Sequence, residues 1–425
     1  MNKRINRQQA IEHVKTLLIL LLTVSALALA GGTGLLGSVL SRDADRAAGK
    51  DENTVDIVRQ QQAARPLVIM LTTADNAHHG VKYNGEELNE VYSWFTAGFG
   101  EAMGSSGEPQ EVQLSQWEDA LHGPGVFADY LYEQSVASLA EWLGVEISSN
   151  LALHTARRFC LAIENNSVSL YYIRALDGKP YRCDTALNGS RLAERLSAYV
   201  PNSMQFAFEA GESYQDIDPY ACILGELSPV PQLVASNPMQ GTEGEELLRL
   251  FDMNPLVANH YPESDGTQVY VEGERSLRVS GDGRVVYSCI RDKSAAEPSV
   301  GTSAVVSSAC DLAMSMPGAE NWTLQMSNIS YDQDTQEYTV RFEYVVDGLV
   351  VCFGGRSGAM EIVIDSTGFL CRADFICRSY AAQGTEEAMP EKQALAVITA
   401  LGGGEPMLCY ADNGETVTPS WVIKR

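Results

Sequence analysis

Apolar residues fall along this chain in three patterns, and each predicts a different element. The first is an unbroken run. Between Lys15 and Arg42 lie 26 residues without a charge, TLLILLLTVSALALAGGTGLLGSVLS. A helix rising about 1.5 Å per residue needs roughly 20 apolar residues to cross a bilayer. The run therefore predicts one transmembrane helix over 16–40. The second pattern, spacing near 3.6, predicts helices over 88–99, 133–143, 192–199, 303–316 and 391–401, with a shorter turn at 117–121 capped by Ser115. The third is alternation or a short apolar run, the mark of strands. It predicts strands at 67–71, 159–163, 168–174, 180–183 and 204–209 in the first half. In the second half it predicts 267–271, 276–279, 284–287, 323–327, 337–346, 349–353, 359–365, 369–378, 407–410 and 421–424. Asp177-Gly178 and Asp347-Gly348 read as tight hairpins.

Together these patterns predict an α+β protein. A single N-terminal transmembrane helix is followed by an extracytoplasmic multi-domain body of antiparallel sheets with packed helices. The expected divisions are a cytoplasmic tail (1–15), the span (16–40), a juxtamembrane linker (41–65), an N-terminal α/β ectodomain (66–235) and a C-terminal α+β region (236–425). The second boundary follows from Pro219, Pro229, Pro231 and Pro238, which interrupt periodicity over 211–247.

Charge orients the span. Lys3, Arg4, Arg7 and Lys15 precede it, whereas Arg42 and Arg46 beyond it are offset by Asp43 and Asp45. Basic residues stay cytoplasmic, so the expectation is a single-pass protein of the cell membrane with its body outside. A cleaved signal peptide is the alternative, because Ala26-Leu27-Ala28 and Ala28-Leu29-Ala30 resemble cleavage sites. Retention is favoured because the uncharged run continues through Leu35, Leu36, Val39 and Leu40. Within it, Ala26, Ala30, Gly34 and Ser38 recur every four residues. Small residues at that spacing let a second helix approach closely in lipid, which makes them a candidate helix-packing face.

Beyond residue 41 the chain carries 26 Lys+Arg against 54 Asp+Glu, a net −28. Such a field disfavours nucleic acid. The nine cysteines contain no C-x-x-C pair and do not form a small-domain disulfide framework; most read as small buried apolar residues.

No constellation of catalytic or metal-ligating residues emerges. His78 and His79 are adjacent, so their side chains diverge; they read as a polar loop rather than a metal site. Gly355-Arg356-Ser357-Gly358-Ala359 lacks the final glycine of a nucleophile elbow. Asp332, Asp334, Gln336 and Glu343 have calcium-loop spacing, but Glu337 stands where that loop needs glycine. No phosphate loop or dinucleotide fingerprint occurs. The expectation is a protein without enzymatic activity, metal or cofactor.

Two stretches resemble a known family. One is LFDMNPLVANHYPESDGTQVYVEGERSLRVSGDGRVVYS (250–288). The other is the C-terminal plan of EKQALAVITAL, an extended Tyr410 segment and TPSWVIKR. Both resemble the YycH/YycI family, membrane-anchored accessory proteins of the WalK sensor histidine kinase in low-GC Gram-positive bacteria. Asp252, Tyr270, Glu272, Gly273, Leu277 and Tyr287 occupy the places of that family's turn motif, with Glu272 where Asp is more usual. WEDALHGPGVFADY followed by SVASLAEWLG is similar to the N-terminal domain of YycH, and the chain length favours YycH over the shorter YycI. The resemblance implies non-enzymatic modulation of a sensor histidine kinase in cell-envelope homeostasis. It implies partners in the membrane: the kinase and a second YycH/YycI-type protein. The alternatives from other classes are an autonomous extracytoplasmic PepSY-like sensor or binding module, and an envelope hydrolase.

Overall fold

The computed structural model describes residues 65–239, 244–291, 299–318, 322–356, 358–414 and 416–424. The predicted span and its packing residues Ala26, Ala30, Gly34 and Ser38 lie outside the described residues. Among those described, no helix is long and apolar enough to cross a membrane.

The described body is α+β and is built on two large sheets. The first contains β1 (Val68–Thr72), β2 (His78–Lys82), β3 (Gln110–Glu111), β4 (Gly125–Ser135), β5 (Thr155–Glu164), β6 (Ser167–Arg174) and β7 (Pro180–Asn188). Its order is β2-β1-β4-β5-β6-β7-β3, antiparallel throughout. Both faces are covered. Ile69 and Leu71 of β1 join a core with Leu88, Val91, Phe95 and Phe99 of the helix Gly85–Gly104. Val68 and Met70 join another with Trp117, Ala120 and Leu121 of the helix Leu114–His122. A strand buried on both sides reads as a continuous apolar run rather than an alternation, hence VIMLT.

Two short strands, β8 (Gln205–Phe206) and β9 (Cys222–Ile223), pair with each other, and β10 (Val230–Ser236) follows. The second large sheet contains β11 (Asn259–Pro262), β12 (Gln268–Glu272), β13 (Arg275–Val279), β14 (Arg284–Cys289), β15 (Thr323–Asp332), β16 (Glu337–Val346), β17 (Leu349–Phe353), β18 (Met360–Asp365) and β19 (Leu370–Ile376). Then β20 (Ser379–Glu386) pairs with β10, and β21 (Glu405–Asp412) and β22 (Val417–Lys424) complete the sheet. Its path is β11-β12-β13-β14-β19-β18-β16-β17-β21-β22, with β15 beside β16. The β17–β21 pair is parallel and the others are antiparallel. The helices Thr302–Met314 and Glu391–Ala400 pack here, close to their sequence expectations.

Asp347 and Gly348 both take positive φ, 50° and 82°, the geometry of a two-residue hairpin that follows strand twist. Asn165 and Asn166 do the same between β5 and β6. Other expectations are corrected. His78 and His79 lie on β2, not in a loop. The helix expected from 133 starts at Val136, because 125–135 is the interior strand β4; Ser135 is its cap. In the helix Leu114–His122, Gln113 rather than Ser115 is the cap, and the Gln113 N–H donates to the Gln116 side chain at 3.0 Å. Of 204–209, only Gln205–Phe206 is strand; a 3-10 turn takes Ala207–Glu209. The proline-interrupted stretch 211–247 still contains β10. Its register shift between Pro231 and Leu233 places the proline at an irregularity in a two-stranded pair, where a missing N–H is tolerated.

Candidate functional site

Where the two large sheets meet, β15 lies against the C-terminal half of β4, and side-chain hydrogen bonds cross between them. Gln134 Nε2 donates to the Met326 carbonyl at 3.4 Å, and Gln325 Nε2 donates to the Tyr130 carbonyl at 3.2 Å. Both glutamines are buried. The pairing of β4 with β5 is broken by a bulge between Asp129 and Gln134, and β5 shifts register against β6 between Ala156 and Phe159. Bulges re-aim side chains. Here they let two consecutive arginines reach one carboxylate. Arg157 forks onto Asp129, Nε to Oδ1 and Nη2 to Oδ2, both at 2.7 Å; Arg158 Nε adds a bond to Oδ2 at 2.9 Å. Arg157 Nη1 also donates to Glu405 Oε2 on β21 at 2.6 Å, and Arg158 Nη1 to Asp218 Oδ1 at 2.9 Å. One buried network thus joins the two sheets.

A cleft of ≈ 670 Å³ opens along this seam, lined among others by Tyr132, Arg157, Ser327, Ile329, Glu405 and Lys424. Its ionisable groups are strongly perturbed. Burial alone raises the Asp129 pKa, but Arg157 and Arg158 overcome this and hold its carboxyl far below the usual range. Burial, reinforced by Arg157, pushes the Lys424 ammonium down to about 8. Its Nζ lies 4.8 Å from the centroid of the Tyr132 ring. Behind Ser327, burial pushes Glu343 up to about 7, against hydrogen bonds from the Ser327 hydroxyl and the Ala359 N–H. Perturbed groups gathered at a cleft mark it as a candidate functional site. A groove of ≈ 700 Å³ between the helices Gly85–Gly104 and Gly189–Leu196 is as large, but its charged residues Glu101, Arg191, Glu194 and Arg195 are exposed.

The sequence reading missed this site, although a signal was present. Arg157-Arg158 stands inside the buried strand TARRFCLAIE, and Asp129 inside GVFADYLY. Charges in buried strands require partners.

The family turn motif is brought together, and its contacts are structural. Tyr270 pairs with Leu277 across β12–β13, and Leu277 with Tyr287 across β13–β14. Leu277 and Tyr287 are buried, and Tyr287 stacks on Phe251 at 4.7 Å. Glu272 accepts from the Asn254 N–H at 2.7 Å, and Arg275 donates to the Asp252 carbonyl. Gly273 has φ 59° in the two-residue loop between paired Glu272 and Arg275. The motif thus pins the segment after the helix Gly244–Leu250 onto a hairpin.

His78 and His79 diverge. His78 hydrogen-bonds Thr72 Oγ1 at 2.9 Å and Glu209 Oε2 at 3.1 Å, while His79 Nε2 meets Glu87 at 2.9 Å. The Thr72–His78–Glu209 chain looks like a nucleophile relay, but Thr72 is 2% exposed, so a substrate cannot reach its hydroxyl there. Asp332, Asp334 and Gln336 form the turn into β16, and the Asp332 carboxylate accepts from the Asp334 N–H at 2.8 Å. Among the described residues, no cluster of His, Cys, Asp or Glu has metal-holding geometry. The nine cysteines form no disulfide.

Two mainly antiparallel sheets fused across a charged seam, with helices on their faces, define an α+β body with a YycH-like fold. The crystal structure of YycH from Bacillus subtilis superposes with a TM-score of 0.56 at 11% identity, covering 85% of this chain and 94% of that one. No family model matches the sequence, and no curated protein matches it.

Proposed function

We propose that this protein is a non-enzymatic, membrane-anchored accessory protein that modulates a WalK-like sensor histidine kinase from outside the cytoplasm. The observation that carries the reading is the YycH-like fold, shared over 85% of this chain and 94% of the Bacillus subtilis YycH chain. The uncharged run 16–41 supplies the anchor, and Ala26, Ala30, Gly34 and Ser38 supply a face for close packing against a kinase helix. A kinase switches between two states, and an accessory protein that contacts them unequally shifts their populations. A second YycH/YycI-type protein in the same membrane is a further proposed partner.

Co-purification of the tagged full-length protein from native membranes tests this, alongside an Ala30→Leu, Gly34→Leu variant. Recovery of a sensor histidine kinase with the wild type and its loss from the variant is the expected result. Absence of any kinase from the wild type would sink the reading. It would favour the second one, an autonomous extracytoplasmic binding module, which draws its support from the seam cleft and its displaced pKa values.

A further inference from the structure

The seam cleft combines two unsatisfied features. One is a strand edge. β15 is ten residues long and pairs with β16 alone. Its first half faces β4 through Gln325, but beyond the bulge at Met326/Asn328 the strand turns outward, and Asn328, Ser330, Tyr331 and Asp332 are exposed. TLQMSNISYD contains neither Pro nor Lys, the residues that usually protect an open edge. The other feature is a cation. Lys424 lines the same cleft as Ser327, Asn328 and Ile329. Among the described residues its ammonium forms no direct ion pair; it lies over the Tyr132 ring, with Glu405 and Asp129 acting on it at longer range. The neighbouring cations are committed: Arg157 to Asp129 and Glu405, Arg158 to Asp129 and Asp218. Of the lining carboxylates, Glu405 is held by those arginines and Glu133 is exposed.

We propose that this cleft binds an extended peptide by its C-terminus, the strand adding to the free edge of β15 and the terminal carboxylate pairing with Lys424. Main-chain hydrogen bonds from an open edge provide affinity without demanding a sequence, and the carboxylate gives Lys424 a direct ion pair in place of the Asp129 and Glu405 charges it shares with the arginines. An anion at Lys424 restores its preference for the proton, so binding takes up a proton above about pH 8. The net −28 beyond residue 41 opposes an anion at long range, so affinity rests on short-range contacts, which salt screens less. The proposal is independent of the kinase reading.

The test uses full-length protein in lipid nanodiscs and a random N-acetyl hexapeptide library made twice, with free carboxylates and with C-terminal amides. Retained peptides are measured by mass spectrometry, and amide hydrogen exchange follows residues 327–332. Expected are retention of the free acids about tenfold over the amides, a difference of about 1.4 kcal/mol, and slowed exchange on β15. Lys424→Met removes the preference and Lys424→Arg keeps it. Equal retention of acids and amides, retention of neither, or protection away from β15 would overturn the proposal.

Discussion

Gly273 shows what one residue contributes to this fold. Its φ of 59° is a conformation that L side chains rarely adopt, yet a Cβ there would meet nothing within 4 Å. The requirement is therefore backbone strain alone, of about 1–3 kcal/mol. Gly281, in the next turn, also has open space but no positive φ. Gly273→Val is expected to lower the Tm by a few degrees, at about 1–2 °C per kcal/mol for a body that unfolds as one unit, while Gly281→Val changes it little. Equal melting of the two variants by circular dichroism would show that the turn does not need its glycine. This site was legible because Gly between strands carries a local signal. The Asp129 cluster was not read, because its hydrogen bonds join residues as far apart as Arg157 and Glu405, 248 positions, and converge only through two bulges. Lys424 falls in a strand expected from alternation, and only the fold places it over Tyr132.

Elements whose signal is local were legible. Glu337–Val346 and Leu349–Phe353 match their expected bounds, since alternation and Asp347-Gly348 fix both strands. Elements defined by tertiary pairing were not. β2 is a polar-looking HHGVK held by β1, β10 depends on β20, and β4 carries a helix-like spacing of apolar residues into its bulge. That bulge makes Asp129 the junction of β4, β5 and β21. Asp129→Asn leaves two buried arginines short of a counter-charge, and breaking a buried pair costs about 3–5 kcal/mol. The wild-type carboxyl is held below its unfolded pKa, so its contribution is fully present above the ordinary carboxylate range and fades as pH falls through and below it. The stability gap between wild type and Asp129→Asn, measured by urea denaturation, should therefore be present in full at pH 6 and narrow below about pH 4. A gap that persists unchanged at pH 3 would mean that shape, not charge, holds the junction.

Across the whole described body, the cores ignore the midpoint of the chain. Val345, Val350, Met407 and Cys409 of the second half pack in one cluster with Leu67, Met70, Phe127 and Tyr171 of the first. A larger cluster runs from Ile69 to Val417. The Asp347 carboxylate, at the tip of the β16–β17 hairpin, accepts from the Gly85 N–H at 3.0 Å, where the first long helix begins. Tyr83 Oη accepts from the Leu408 N–H at 2.9 Å, and β10 is bound to β20 rather than left as a free connection. With apolar surface, hydrogen bonds and the Asp129 network all shared, neither half retains a closed core without the other. The body is expected to unfold in one transition, with calorimetric and van't Hoff enthalpies in a ratio near one. Asp129→Asn should move that transition as a unit. Two resolved transitions, only one displaced by the substitution, would show that the seam is a contact between independent domains. A single transition, displaced as a whole by the substitution, would make the seam part of one cooperative core.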